Sequence, residues 1–479
     1  MRAKYDTMRA MTADDALAEI LRTASMRGDT EVAITGRDPV LPTNHLIGAA
    51  GAAALAAVGT AASELWHLRT GRRQRVRIDM RAVAAAMRSE RYVRVNGEFV
   101  ERYAPVSGYH RTRDGRWIQL HCNFPHHRAG VLKLLGCPDD RAAVSAAVAQ
   151  SDGQALEDEL IDAGLCAALL RSRAEWEAHP HYKAVAPLPL FEIIKLGDSG
   201  PEPLGATAAP LGATAAPPGA ATAPLDGVRV LELTRVIAGP VSGRTLAQHG
   251  ADVLRITPRH LPDLPGHEAD TGSGKLTAVL DLRERHDLER LRALAADADV
   301  VTQGYRPGTL AARGLSPEAL AAARPGIVCV TLSAWSHEGP WRHRRGFDSL
   351  VQSTTGIVDT TGERPRPLPC QALDHVTGYL MAFGAMAALA RRAREGGSYQ
   401  VRVSLCQTQE WLHRLRRVDV DWRTIPDPTI DDVADLLIDT DGPYGRVRHV
   451  RPVVELSETP ARWRRPAVPP GTSPPEWPR

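Results

Sequence analysis

Lysine is scarce in this 479-residue chain: Lys4, Lys133, Lys183, Lys195 and Lys275 are the whole complement, and the rest of the 59 basic side chains are arginine. The 56 acidic residues almost cancel them, for a net charge of +3. So small an excess excludes nucleic acid as the expected partner. Arginine suits a bidentate grip on phosphate or carboxylate, although GC-rich coding explains its use beside abundant alanine. Cysteine is sparse too: six residues (Cys122, Cys137, Cys166, Cys329, Cys370, Cys406) with no CxxC pair. That excludes a zinc ribbon or a disulfide framework and points to a reducing compartment. No apolar core of signal-peptide type stands near the first residue. The most apolar stretch, Leu46 to Ala62, is rich in Ala and Gly and stops at Glu64, so it reads as a buried helix instead of a membrane span. A cytoplasmic protein without a membrane partner is expected.

What is present is length enough for two or three domains. Residues 200–224 contain the unit LGATAAP twice in succession, with almost no charge and no large side chain, which marks a flexible linker. The expected division is 1–199, 200–224 and 225–479. After the linker, short apolar runs alternate with helical spacing: "GVRVLEL", "ADVLRI", "DVVTQGY" and "IVCVTLSAW" are strands. Between the last two, "LSPEALAAARPG" carries Ser316 as N-cap and Pro317 at the first helical position. The predicted fold class is α/β, a doubly wound parallel sheet in a large domain. Ligands of such sheets lie at the carboxyl ends of the strands, here the turns "TRVIAGP", "QGYRPG" and "SAWSHEGP". Before the linker, "YHRTRDGRWIQLHCNF" reads as a hairpin turning at Asp114-Gly115, followed by helices, a smaller α+β domain.

A repeat crosses the linker. "TNHLIGAAGAAALAAVG" from Thr43 echoes "LDHVTGYLMAFGAMAALA" from Leu373, and "RTGRRQRVRIDM" from Arg69 echoes "REGGSYQVRVSL" from Arg394. Asn44 stands where Asp374 stands, His45 where His375 stands. An aspartate ahead of an apolar helix is a natural cap; asparagine also caps, but it is no carboxylate.

The blocks "LDGVRVLELTRVIAGPVSGRTLAQHGADVLRI", "GKLTAVLDL", "ADVVTQGYRPGTLAARGLSPEALAAARPGIVCVTLSAW", "GPWRHRRGFDSLVQSTTG" and "PLPCQALDHVTGYLMAFGAMAALARRAREGG" follow one another from Leu225 to about Leu412. Together they resemble the family III CoA-transferases, the group of formyl-CoA transferase and carnitine CoA-transferase. Tyr109 to Phe124 resembles the family's smaller domain, and "PYGRVRHVRPVVELSETP" its C-terminal return to the large domain. The order is rearranged, since the small domain here precedes the large one.

The resemblance implies a transferase that moves CoA from an acyl-CoA donor to a small carboxylic acid, with Asp374 as nucleophile. An ordinary aspartate, pKa about 3.9, is ionised at neutral pH without a base, and backbone N–H groups at the helix start are expected to stabilise oxyanions. Arg235, Val236, Ile237 and Ala238 would lie along the nucleotide of CoA, with Arg313 and Arg345 as further contacts. Gln303-Gly304-Tyr305 departs from the family's Glu-Asn-Phe. CoA is substrate here; no permanent cofactor and no metal are implied, and a homodimer is. Two alternatives are a non-catalytic acyl-CoA-binding member and an α-methylacyl-CoA racemase, whose "GHD" is here Gly346-Phe347-Asp348. "TGSGKL" lacks the residues of a phosphate loop, and "CNFPHH" is expected on the surface of the small domain.

Overall fold

The computed structural model describes residues 11–100, 103–204, 221–261 and 264–478. Its main sheet has seven strands: β1 Phe191–Gly197, β2 Arg229–Leu233, β3 Asp252–Thr257, β4 Lys275–Val279, β5 Val300–Gln303, β6 Val328–Ser333 and β7 Ser398–Ser404. In space they run β4-β3-β2-β5-β6-β7-β1. From β4 to β7 every pairing is parallel, while β1 pairs antiparallel with β7. These strands are nearly continuous apolar runs because helices cover both faces. The expected strands and helices fall where the sequence put them. Ser316, for instance, accepts a hydrogen bond from the Ala319 N–H (3.1 Å) and starts the Pro317–Ala323 helix. The strand order reverses between β2 and β5, and the crevice beyond their carboxyl ends is the natural ligand position.

The hairpin forms as read: Gly108–Arg111 pairs antiparallel with Trp117–Leu120, and Gly115 takes a left-handed φ of 78° at its turn. Ala167–Leu169 adds a third strand, and this sheet and its helices share a core around Ile118, Leu120, Val131 and Leu160. Of the linker reading, residues 205–220 lie outside the described residues. Both flanks are pinned: Glu202 pairs with Arg324 at 2.6 Å, and Asp226 accepts from Ala223 N–H at 2.9 Å.

The repeat is real in three dimensions. Each copy is a 24-residue buried helix, a strand and a further helix: Ile47–Thr70, Val76–Asp79 and Met80–Ala86 in the first, Ala372–Glu395, β7 and Leu405–Arg414 in the second. The two long helices pack on each other in one continuous core. Both are long and apolar enough to cross a membrane, and the apolar window of each is wholly buried in the fold. The Leu46–Ala62 reading stopped too early, since the helix continues through Glu64, buried against Arg73 at 2.9 Å.

The copies differ at their start. The second helix begins at Ala372, so Asp374 sits in its first turn, whereas the first begins only at Ile47 and leaves Asn44 outside. Neither residue caps: the N-cap positions are Gln371 and Leu46, without side-chain cap bonds. The C-terminal segment also departs from expectation. Glu455–Leu456 pairs with the first copy's Val76–Asp79 strand, and only later do Thr277 and Pro469 join it to the large sheet through a 2.8 Å hydrogen bond.

Candidate active site

A cavity of about 380 Å³ opens at the reversal point of the sheet. Its floor is the turn after β2, where Thr234 leads into Arg235, Val236 and Ile237 before the Ala238–Gln248 helix. Val236 holds a φ of 72°. For a β-branched residue that conformation is an outlier and costs about 1–3 kcal/mol. The turn after β5, Gly304 to Arg306, forms the opposite wall.

All seven residues marked from sequence meet here: Asp374, Arg235, Val236, Ile237, Ala238, Arg313 and Arg345 line the one cavity. Their surroundings differ. The Arg235 guanidinium lies 5.1 Å from the centre of the Phe124 ring. Arg345 Nε is buried with no hydrogen-bond partner among the described residues. Arg313 is committed elsewhere: its Nη1 donates to Thr309 O (3.1 Å) and its Nε to Leu282 O (3.4 Å), fixing two loops. In the altered triplet, Gln303 Oε1 accepts from Tyr305 N–H at 2.9 Å and shapes its own turn, while Gly304 and Tyr305 face the cavity.

Asp374 is 8% exposed, and its neighbourhood is acidic. Asp348, from the Asp348–Thr354 helix, accepts from the Asp374 N–H at 3.0 Å and from Gln352 Nε2 at 2.5 Å. Gln352 in turn accepts from Leu368 N–H (2.8 Å), tying the loop ahead of Asp374 to the same carboxylate. Burial, then the charges of Asp348 and Glu90, hold the Asp374 carboxyl well above the usual range. Burial likewise pushes Asp348 up to about 6 against its stabilising hydrogen bonds. Two expectations are corrected. Asp374 is not the freely ionised carboxylate of an exposed residue, because desolvation and like charges favour its neutral form. The N–H groups of Leu373 and Asp374 are not open to an oxyanion, because Asp348 already takes them.

His375 points away from the cavity. It is fully buried, with Nε2 3.0 Å from Glu90 Oε2. Glu90 comes from the Ser89–Tyr92 helix of the first half, and nothing in "SERY" signals it. Asp348 stood in a quoted block but looked like a helix residue. Arg306, exposed at the cavity and without an ion-pair partner among the described residues, was hidden in the Arg-Pro-Gly turn.

"CNFPHH" is only partly on the surface: Pro125 and His126 are exposed, the rest is not. Phe124 and His127 are 2% and 5% exposed and line the cavity, since the small unit of the first half closes over the large sheet. Phe347 stacks face to face on His121 of that unit, ring centres 3.8 Å apart. Lys275 of "TGSGKL" is buried on Glu232 at 2.8 Å, an internal ion pair far from phosphate duty.

The family model described as CoA-transferase family III matches residues 20–192 and 225–422. Among curated proteins the chain is similar to acetyl-coenzyme A transferase nodX of Hypoxylon pulicicidum, 30% identical over 334 residues, covering 65% of this chain and 55% of that protein. It is similar to the succinyl-CoA–D-citramalate CoA-transferase of Chloroflexus aurantiacus, 32% identical over 196 residues, 38% of this chain and 49% of that one. The succinate–glutarate CoA-transferase of Agrobacterium fabrum is 30% identical over 206 residues, 39% and 52% of the two chains. The chain thus spans about half the length of the curated relatives it matches. A solved CAIB/BAIF family protein from Brucella suis is 30% identical, with 40% of this chain and 55% of that one covered at a TM-score of 0.36.

Proposed function

As a member of CoA-transferase family III, this chain is one for which we propose CoA transfer from an acyl-CoA to a carboxylic acid through a covalent intermediate on Asp374. The observation that carries the reading is the meeting, in one cavity, of a nearly buried carboxylate with Arg306 and Arg345, neither of which has a carboxylate partner among the described residues. An anion entering there supplies the missing partner.

The chemistry proceeds by exchange at carbonyl carbon. An Asp374 oxygen attacks the thioester carbonyl; a C–O bond forms, the C–S bond breaks, and CoA leaves as thiolate. The thiolate attacks the aspartyl carbonyl of the mixed anhydride, releasing the donor acid and leaving an aspartyl-CoA thioester. The acceptor carboxylate then attacks that thioester, and the returning thiolate collects the new acyl group and frees Asp374. Asp374 must be ionised to begin, so its raised pKa places an acid limb on the rate above the usual carboxylate range. Phe124, His126 and His127 wall the cavity from the first half. Residues 1–199 and 225–479 act in this reading as cover and base of one site.

Intact mass after mixing with a panel of short-chain acyl-CoAs, with borohydride to trap the thioester, tests the proposal. A CoA adduct or a reduced side chain mapping to Asp374, absent from Asp374→Ala, is the expected result. A second reading, acyl-CoA binding without turnover, rests on the raised pKa of Asp374, which opposes the ionised form that attack requires. It is the one left standing if CoA binds and no donor gives an adduct. Racemisation has no support at position 347, where the stacked phenylalanine cannot take a proton.

A further inference from the structure

The larger cavity of the molecule belongs to the other copy of the repeat. It measures about 1230 Å³ and is lined by Asn44 and His45, the counterparts of Asp374 and His375. Its walls come from the small unit, the loop after the Asp348–Thr354 helix and the segment following Arg414.

Three of its arginines have no carboxylate partner among the described residues: Arg91, Arg366 and Arg417. Three acids on the same walls are engaged: Glu175 holds Arg116 at 2.7 Å, Asp427 holds Arg88 at 2.5 Å and Asp421 faces Arg423 at 3.4 Å. Asp359 accepts from the neutral Thr361 and Trp422 and acts through space on Arg417, so it offsets part of one of the three free arginine charges. The cavity therefore carries uncompensated positive charge. Arg366 is preset by the Trp422 ring, 4.6 Å from its guanidinium, which lowers the ordering cost of gripping an anion. His45 is 4% exposed and its Nδ1 has no hydrogen-bond partner among the described residues. A buried ring nitrogen left unpaired is costly unless a ligand or water completes it.

We infer that the Asn44 cavity is a second, non-catalytic binding site for a small oligoanion, a ligand carrying two or more phosphate or carboxylate groups. Three guanidinium groups from three separate elements match several anionic groups better than one. Asn44 leaves the site without a nucleophile, so the ligand is bound and not consumed there. Its residues are distinct from those lining the Asp374 cavity, so occupation of the two can be separated.

Calorimetric titration with pyrophosphate, citrate and free CoA decides the matter, using the full chain. The variants are Arg366→Gln/Arg417→Gln for this cavity and Arg345→Glu for the other. Both glutamine positions are exposed, so an unchanged melting temperature is expected and is checked; Arg91→Gln serves as a second variant. At least one probe should bind wild type and Arg345→Glu alike, and at least tenfold more weakly to the double variant. Pyrophosphate or CoA as that probe identifies a phosphate ligand, citrate a carboxylate one. Failure of every probe to bind, or binding that the double variant and Arg91→Gln leave unchanged, overturns the inference.

Discussion

At the level of single residues, the chemistry turns on how three carboxylates share little water. Glu90 raises the Asp374 pKa through space and reaches His375 directly, which makes it a positioning residue. Glu90→Gln removes a like charge, so the acid limb of the kcat/KM profile should move to lower pH, and kcat should fall on the order of tenfold as His375 loses its anchor. An unshifted profile would deny the link. Stability follows with a definite sign. The folded pKa of Asp348 and Asp374 lies above the unfolded value, so their contribution is present below about pH 4 and is lost as pH rises through the folded values, about 6 for Asp348. Asp374→Asn should therefore match wild type in urea midpoint near pH 4 and exceed it at pH 7. Asp374 and the cavity-lining arginines were legible only through the ordered blocks that resemble family III CoA-transferases, whereas the turns after β2 and β5 were marked by the strand pattern itself. Glu90 and the stacking of His121 on Phe347 were not, because contacts between positions so far apart in the chain leave no local periodicity.

Elements decide how closely the parts of the site approach. Gly378, one turn beyond Asp374, faces the start of the Ala238–Gln248 helix, and a Cβ there would lie 2.5 Å from Ala238 O and 3.0 Å from Val241 Cβ. The backbone oxygen cannot swing aside, so the clash outweighs the better helix propensity of alanine. Gly378→Ala should cost about 1–3 kcal/mol in denaturant midpoint and raise KM for acyl-CoA, since the displaced turn carries Arg235. The repeat could be read from its matching letters, and so could both long helices. The different starts of those helices could not. Five residues separate the two copies between their matched blocks, and the first helix absorbs them by running later, leaving Pro42 to Leu46 outside.

Across the whole molecule, the two halves are held by β1 on β7, by the paired long helices and by Glu202 on Arg324. Proteolytic cleavage inside residues 205–220 should thus leave two fragments that co-elute in native gel filtration and part only in denaturant; fragments that separate natively would refute this. Composition alone suggested a division at residues 200–224. It could not show that β1, encoded before the division, closes the sheet encoded after it, since an antiparallel edge pairing depends on which surface is left uncovered. That placement bears on how the protein is made. The Ile47–Thr70 helix leaves the ribosome more than three hundred residues before its partner is finished at Glu395. At about 5–20 residues per second, an apolar helix and an open strand edge wait roughly 15–65 s for their counterpart, an interval in which the nascent first half has apolar surface to cover by other means.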